Sequence, residues 1–247
     1  MSGIDPACAL PRPSVRSFVR RQGRFTAAQR RAFAELWSGR GLELGPEPLD
    51  LRAQFPGCES FVVEIGFGMG HALVELAERS PGTGFVGIEV HRPGVGKLLA
   101  MAQERQLQNL RVYCDDAVEV LNRGFADASL DTVLLLFPDP WHKVRHHKRR
   151  LVQPLFVELV RRKLRSGGTL HLATDWEDYA RQMLEVMSAA PGWRNRAGEG
   201  SFAQRPASRP ITRFERRGLR LGHGVWDLLF EKIANSRVAI GPGPAAF

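Results

Sequence analysis

The fold is decided by the stretch VEIGFGMG at residues 63–70, where an apolar run meets three closely spaced glycines. Glycine reaches backbone angles that other residues avoid, and it lets the main chain approach a ligand closely. A glycine turn between a strand and a helix is typical of α/β folds that bind nucleotide-like ligands. A dinucleotide-binding G-x-G-x-x-G motif needs glycine where His71 stands, so the spacing disfavours an oxidoreductase that uses NAD.

On both sides of this turn, short β-rich runs alternate with longer amphipathic segments, which predicts βαβ units around a parallel sheet. We predict strands at 61–65, 84–90, 110–114, 131–137 and 168–174. We predict helices at 70–79, 94–106, 151–164 and 176–189, with Gly167-Gly168 as the stop that ends the third of them. The run at 133–137 is apolar on both faces, as expected of a central strand. A last strand is predicted at 225–230.

Composition and charge indicate one α/β domain with basic extensions. Of the 247 residues, 43% are hydrophobic and 25% are charged, which is typical of a globular domain with a sizeable core. The net charge of +9 favours a polyanionic partner. Seven arginines and no acid lie between residues 6 and 34, so we predict a basic arm at 1–55, either a polyanion-binding extension or a solvated tail. The catalytic domain is predicted at 56–237 and a tail at 238–247.

The sequence also bears on compartment and metal content. No apolar run is long enough for a signal peptide, and none approaches the roughly 18 residues of a membrane span. The three cysteines, at positions 8, 58 and 114, form no C-x-x-C pair, so neither a disulfide framework nor a zinc site is indicated. We expect a cytoplasmic protein without a metal, and the oligomeric state stays open with a monomer favoured.

Three acids stand at the ends of successive predicted strands: Glu64, Glu89 and Asp116. Glu89 could accept hydrogen bonds from two ribose hydroxyls, and a carboxylate of the Asp115-Asp116 pair could receive an exocyclic amine such as adenine N6. Together with the glycine turn, this order is expected of a Rossmann-like methyltransferase. The alternative is that the glutamates are simple strand-end acids and that one aspartate caps the helix near Ala117.

A second constellation, FPDPWHK at residues 137–143, follows the central strand. An acid held between two prolines is rigid, and open α/β sheets bind their ligands at the carboxyl ends of their strands. Asp139 is therefore the candidate catalytic residue. The alternative is that Asp139 only forms the hydrogen-bonding corner of a tight turn.

A basic run continues this segment and indicates an RNA-binding edge. It contains Lys143, Arg145, Lys148, Arg149 and Arg150, with Trp141 beside it as a stacking plane. The alternative is a solvated charge run. The histidines His142, His146 and His147 could bind a metal, but no acid or cysteine joins them in sequence, so a metal site ranks below phosphate contact.

Three motifs together resemble the bacterial tRNA (guanine-N7)-methyltransferase family. They are Pro138–Lys143 with its basic follower, Thr174-Asp175-Trp176, and Thr212–Glu215, and the similarity covers residues 60–233. The resemblance implies a Rossmann-like class I methyltransferase fold, an α/β architecture with a mostly parallel seven-stranded sheet and helices on both faces. It implies transfer of a methyl group from S-adenosyl-L-methionine to N7 of the guanine at position 46, in the variable loop of tRNA.

The resemblance also assigns residues to these partners. The implied S-adenosylmethionine contacts are Glu64, Glu89, Asp116 and Asp139, beside the glycines Gly66, Gly68 and Gly70. The implied substrate contacts are Lys143, Asp175, Thr212, Arg213, Phe214 and Glu215. The implied RNA-contacting loop contains Arg145, His146, His147, Lys148, Arg149 and Arg150.

The chemistry suits these residue types. Guanine N7 has an in-plane lone pair and no proton to lose, so it can attack a sulfonium methyl without a strong general base. Positioning should then dominate, and carboxylates near the ring favour the positive charge that arrives there. Two further hypotheses stay open: an RNA-binding protein that keeps the fold without the activity, and an NAD-dependent oxidoreductase.

Overall fold

The computed structural model describes residues 25–212, 215–216, 222 and 224–234. Its centre is an eight-stranded sheet in the order β1-β4-β3-β2-β5-β6-β8-β7. The strands are β1 (Gly41–Leu42), β2 (Ser60–Ile65), β3 (Thr83–Ile88), β4 (Leu110–Tyr113), β5 (Leu130–Leu136), β6 (Leu164–Thr174), β7 (Trp193–Asn195) and β8 (Trp226–Lys232). Neighbours pair in parallel except at β8, which is antiparallel to both β6 and β7. The predicted mostly parallel sheet is confirmed.

The sheet has eight strands where seven were expected. Two of the eight, β1 and β7, were not predicted from the sequence pattern: β1 is a two-residue segment that pairs with the outer edge of β4, and β7 has three residues. Their shortness explains why a hydrophobic pattern did not reveal them, since alternation needs several residues to be recognised. Each predicted strand is present within a few residues of its expected bounds, and the apolar run of β5 lies between β2 and β6 as expected of a central strand.

Helices cover both faces of the sheet. They are α1 (Ala27–Arg40), α2 (Leu51–Gln54), α3 (His71–Arg79), α4 (Arg92–Glu104), α5 (Ala117–Gly124), a 3-10 helix (Val144–Arg149), α6 (Pro154–Lys163) and α7 (Glu177–Ala189). Side chains of α1, α3 and α4 join one apolar cluster, and those of α5, α6 and α7 join another. This division follows from β-strand geometry, because alternate residues of one strand point to opposite faces. Among the described residues no helix is both long and apolar enough to cross a bilayer.

The expected helix stop at Gly167-Gly168 is wrong. Helix α6 ends at Lys163, and both glycines lie inside β6, with Gly167 at φ +77°. The helix ends earlier because Leu164 takes extended backbone angles, φ −70° and ψ 140°, is fully buried and pairs with Leu130 of β5. The glycines instead accompany the register shift between β5 and β6.

Helix α1 lies within the predicted N-terminal arm and packs on the core. Thr26 and Gln29 form a capping box at its start, and Phe33 stacks on Trp37 with ring centroids 4.9 Å apart. A Cβ built on Gly96 of α4 would overlap the carbonyl oxygen of Gln29, so the two helices touch backbone to backbone. The arm at 1–55 is thus packed from residue 26 onwards, and residues 1–24 lie outside the described part of the chain.

The chain order creates a topological switch point between β2 and β5, where a crevice is expected. From β2 the chain proceeds to β3 and β4 on one side, and from β5 it proceeds to β6 on the other side. Open α/β sheets bind ligands at such a switch point, outside the carboxyl ends of the strands. The segments that follow these two strands are residues 66–70 and 137–141, and they contain the glycine turn and Asp139.

Candidate active site

The glycine turn forms an open cradle above the end of β2. Gly66, Gly68 and Gly70 have φ values of +72°, +59° and +77°, which side-chain-bearing residues rarely adopt. Nothing lies within 4 Å of a Cβ built on Gly66 or Gly68, so this side of the turn is free to receive a ligand. On the other side, a Cβ on Gly94 of α4 would overlap the Gly68 carbonyl oxygen. Gly94 therefore supplies the close helix packing that the missing third motif glycine would give elsewhere.

Glu89 ties the end of β3 to this turn. Its Oε2 accepts a hydrogen bond from the Gly68 N–H at 2.9 Å, and its Oε1 accepts from the N–H groups of Val90 and His91 at 2.8 and 3.0 Å. Charge-assisted bonds of this kind are stronger than neutral ones. Glu89 therefore orders the glycine turn itself, and Oε2 keeps a lone pair that can accept from a ligand.

Asp116 caps helix α5, as the alternative interpretation held. Its Oδ1 accepts from the N–H groups of Val118 and Glu119 at 2.8 and 3.2 Å. The cap uses only one of the two carboxylate oxygens, and the side chain is half-buried at the end of β4. Capping and ligand contact are therefore compatible, since Oδ2 can still receive a donor such as an exocyclic amine.

Glu64 is the most unusual group of the site. The residue is 3% exposed, and its Oε2 has no hydrogen-bond partner among the described residues. Burial, with the charge of Glu89 as a second cause, raises the pKa of Glu64 to about 8. A buried polar atom without a partner costs about 1–3 kcal/mol. Such an arrangement suits a site that a cationic or donor group completes.

Asp139 stands on a short turn whose two ends have unusual backbone angles. Phe137 and Trp141 have φ values of +55° and +48°, and bulky residues in this region cost roughly 1–3 kcal/mol each. Asp139 is exposed, and its Oδ1 accepts from the Trp141 N–H at 3.2 Å. The Phe137 N–H donates to the Ala173 oxygen at 2.8 Å. The expected tight turn is present, and it presents the carboxylate to solvent at the crevice.

The basic run forms the 3-10 helix, and its members differ in exposure. Arg145 and Lys148 are exposed, and the guanidinium of Arg149 lies 5.0 Å above the Trp141 ring. His146 and His147 are half-buried. Arg150 differs from all of these, because it is 2% exposed. The expectation that Arg150 contacts RNA is not supported, since its charged end faces protein groups rather than solvent.

The segment after β6 adds an open cavity beside the turn. The cavity has a volume of about 560 Å³ and is lined by Asp175, Trp176, Glu177, Asp178, Arg181, Gly224 and Trp226. The ring of His142 meets that of Trp176 edge-on at 4.2 Å, which joins the Asp139 turn to the segment that contains Asp175. Lys143, which follows His142, is exposed. The expected substrate residues Lys143 and Asp175 are therefore the sequence neighbours of the two rings in this contact.

Glu215 is held inside the protein by a network that the sequence did not reveal. Arg209 donates to Glu215 Oε2 and Oε1 at 2.7 and 3.0 Å, and to Asp227 Oδ2 at 3.0 Å. His171 Nε2 lies 2.7 Å from Asp227 Oδ1. All four residues are buried. In the sequence, the one signal of this network was Asp227, a charged residue inside the apolar strand β8.

This network fixes the start of the expected substrate segment. Thr212 Oγ1 accepts from the Glu215 N–H at 3.1 Å, so the two residues form a capped turn. Because both oxygens of the Glu215 carboxylate bind Arg209, this acid holds the segment in place. Arg213 and Phe214 lie outside the described residues.

The structure brings the expected acids to one edge of the sheet. Glu64 belongs to β2, and Glu89, Asp116, Asp139 and Asp175 follow β3, β4, β5 and β6. Because these five strands are parallel, their carboxyl ends share one edge. Within the described ranges, no group of three His, Cys, Asp or Glu side chains has the arrangement of a metal site. The arrangement is acidic at the crevice and basic along the adjoining 3-10 helix.

Comparison with known proteins relates this arrangement to a reaction class. Residues 59–228 match a protein family whose description is "Putative methyltransferase". The chain is 59% identical, over 225 residues, to the tRNA (guanine-N(7)-)-methyltransferase of Pseudomonas aeruginosa strain UCBPP-PA14, covering 91% of this chain and 92% of that protein. It is 57% identical to the enzyme of the same name from Aeromonas hydrophila subsp. hydrophila, over 89% of this chain and 92% of that protein.

Solved structures with low sequence identity share the fold. The 16S rRNA methyltransferase KamB aligns with a TM-score of 0.56 at 16% identity, over 76% of this chain and 95% of that one. A 16S rRNA (adenine(1408)-N(1))-methyltransferase from Catenulisporales acidiphilia, solved with its cosubstrate SAM, aligns with a TM-score of 0.52 at 16% identity, over 79% and 94% of the two chains. At such identities the likeness concerns the fold alone.

Proposed function

Because the chain belongs to the family of bacterial tRNA (guanine-N7)-methyltransferases, we propose that it transfers the methyl group of S-adenosyl-L-methionine to N7 of guanine 46 in the tRNA variable loop. The observation that carries this proposal is the crevice at the switch point, where the glycine cradle and the buried Glu64 adjoin the Asp139 turn. The products are N7-methylguanosine in tRNA and S-adenosylhomocysteine.

The residues of the crevice fit this methyl donor. S-adenosylmethionine carries an ammonium and a sulfonium group, and the partnerless Oε2 of Glu64 suits a cation. Glu89 Oε2 can accept a ribose hydroxyl, and Asp116 Oδ2 can accept the adenine amine. The open faces of Gly66 and Gly68 leave room for the donor to lie against the backbone. When bound, the donor supplies the electrophilic methyl group.

The chain's own residues then act by position and charge. Guanine N7 attacks with a lone pair that carries no proton, so no residue has to remove one. The purine becomes cationic as the methyl group arrives, and the exposed carboxylate of Asp139 at the crevice favours that charge. Asp175, which borders the neighbouring cavity, can accept from the N1 and N2 donors of guanine.

The proposed RNA contact lies on the basic side of the crevice. Exposed Arg145 and Lys148 can contact phosphates, and Lys143 extends this surface toward the Asp139 turn. Trp141 offers an aromatic plane below Arg149, as single-stranded RNA loops often require. We assign the arginine-rich residues 1–24 to the same role, as a basic extension of the catalytic body. We place the enzyme in the cytoplasm, because its proposed substrate is found there.

Transcribed tRNA tests the substrate, the nucleotide and the atom together. Radiolabelled S-adenosylmethionine should label a tRNA transcript, and nuclease mapping should locate the label at guanine 46. A matched transcript with 7-deazaguanine at that position has a C–H group in place of N7 and should accept no label. Label on the 7-deaza transcript, or at another nucleotide, contradicts the proposal. Tight tRNA binding without any transfer would favour the hypothesis of an RNA-binding protein that lacks the activity.

A further inference from the structure

We propose that Arg150 is a positioning residue that fixes the Asp139 turn against helix α7, and that it does not bind a tRNA phosphate. The inference rests on the methyl transfer proposed above and deepens it, because it assigns a role to one member of the basic run. The first observation is how little of the Arg150 side chain is exposed. The side chain of Arg150 is 1% exposed, whereas the neighbouring Lys148 is exposed.

The guanidinium of Arg150 is occupied at all three nitrogens. Its Nε donates to the Pro140 carbonyl oxygen at 2.9 Å, and its Nη1 donates to Gln182 Oε1 at 2.8 Å. Its Nη2 donates to Asp178 Oδ2 at 2.5 Å. The same group lies 4.8 Å above the Tyr179 ring. No donor of this fork faces solvent, so a phosphate would have to displace existing partners.

The bond to Pro140 matters because of where that carbonyl lies. Pro140 directly follows Asp139, and the turn has strained angles at Phe137 and Trp141. Strained backbone persists only where surrounding contacts determine its conformation. The rings of Pro138 and Pro140 fix their own φ angles, and Pro140 keeps Asp139, the residue before it, out of the α region. A shift of the Pro140 carbonyl therefore moves the carboxylate as well. Arg150 is therefore placed to hold the strained turn in one conformation.

The other partners of Arg150 belong to helix α7, which begins close to the expected substrate residue Asp175. Asp178, Tyr179 and Gln182 lie in the first two turns of α7, which begins two residues after Asp175. The hydrogen bond from Arg150 holds the pKa of Asp178 below its usual range, as expected for a carboxylate that pairs with a guanidinium. One arginine thus connects the segments that carry Asp139 and Asp175. These two acids are the ones proposed to face the target purine.

Lysine cannot replace this fork. The planar guanidinium directs its N–H groups along fixed lines to several partners, whereas a lysine ammonium is a compact point charge. A phosphate contact would tolerate lysine, because a phosphate accepts a point charge well. The conservative variant Arg150→Lys therefore separates the two roles.

The experiment compares Arg150→Lys and Arg150→Met with Lys148→Met as the matched control. Single-turnover methyl transfer is measured at saturating tRNA and S-adenosylmethionine, and the tRNA Kd is measured over a range of salt concentrations. Both Arg150 variants should transfer methyl groups up to about 100-fold more slowly, as expected for a misplacement of about 1 Å. Their tRNA Kd and its salt slope should equal those of the wild type. Lys148→Met, which removes a proposed phosphate contact, should raise the tRNA Kd and lower the salt slope by about one.

Two results overturn the inference. One is a near wild-type rate for Arg150→Lys, and the other is a loss of tRNA affinity and salt slope in Arg150→Met that matches Lys148→Met. If Arg150→Met fails to fold, Asp178→Asn tests the same bracing from the exposed side, since that carboxylate is 62% exposed. Asp178→Asn should slow transfer several-fold without weakening tRNA binding, and an unchanged rate counts against the bracing. The wild-type rate tests the proposed function separately, and the salt slope is measured without any turnover.

Discussion

Glu64→Gln should stabilise the ligand-free protein at alkaline pH and leave it nearly unchanged in acid. The buried carboxyl has its pKa raised from an ordinary value of 4.5 to about 8. The unfolded chain releases this proton near its ordinary pKa, whereas the folded chain keeps it until about pH 8. Between these two values the unfolded state binds fewer protons, so the wild type loses stability as the pH rises. Glutamine has no proton to lose, so the stability of the Glu64→Gln protein lacks this pH dependence.

The magnitude follows from the distance between the two pKa values. The two pKa values differ by about 3.5, and each pH unit corresponds to about 1.4 kcal/mol. At pH 9 the free energy of unfolding of Glu64→Gln should therefore exceed that of the wild type by about 5 kcal/mol. At pH 5 the same treatment gives an advantage of about 1 kcal/mol or less. Urea unfolding at the two pH values measures the difference directly. Glu104→Gln is the control, because Glu104 is exposed at the end of α4.

The same variant links the carboxyl to the methyl donor. A cation that reaches Glu64 lowers its pKa, so binding below pH 8 should release close to one proton from the wild type. Calorimetry in two buffers of different ionisation enthalpy measures this number, and Glu64→Gln should release none. The reasoning is refuted if Glu64→Gln is less stable than the wild type at pH 9, or if both proteins show the same dependence on pH.

Three further substitutions test other parts of the site. Asp139→Ala should lower the single-turnover rate of methyl transfer by about 10²-fold or more and leave the tRNA Kd within a factor of about 3 of the wild-type value. Equal losses in rate and affinity would contradict the role proposed for Asp139. Gly94→Ala should displace the Gly68 carbonyl and weaken S-adenosylmethionine binding by about tenfold in a titration. The control Gly39→Ala should leave this binding unchanged, because a Cβ at position 39 meets no atom within 4 Å. Arg209→Met should lower the free energy of unfolding by about 3–5 kcal/mol in urea, because it removes the buried guanidinium that pairs with both Glu215 and Asp227. A loss below about 1 kcal/mol would show that the network is not a buried ion pair.

The features that the sequence predicted correctly are those that local pattern determines. Strand order along the chain and the acids at strand ends depend on hydrophobic period and on position relative to glycine and proline, and both are visible without tertiary information. Helix α1 was missed because its arginines mask a capping box and an apolar pair at Phe33 and Trp37. The helix stop at Gly167 failed because glycine also marks irregular strands.

The roles of individual charged residues could not be predicted in the same way. Arg149 and Arg150 are the same type of residue and adjacent in sequence, yet only Arg150 is buried. The difference arises from α7, whose Asp178 and Gln182 accept from Arg150 across about thirty residues of sequence. Glu215 was interpreted as a substrate contact on motif grounds, and its burial depends on Arg209 and on a neighbouring strand. Exposure is a tertiary property, so a run of charges cannot reveal which members are structural.

The distribution of charge suggests how the proposed substrate is oriented. The chain carries a net charge of +9, yet the crevice edge collects Glu64, Glu89, Asp116, Asp139 and Asp175. Carboxylates repel phosphates, so the RNA backbone should stay outside the crevice, along the exposed cations of the 3-10 helix. The base has no such charge and becomes cationic only as it is methylated. Asp139, one of the acids that exclude the backbone, therefore also favours the transition state, and binding and reaction select the same orientation of the guanine.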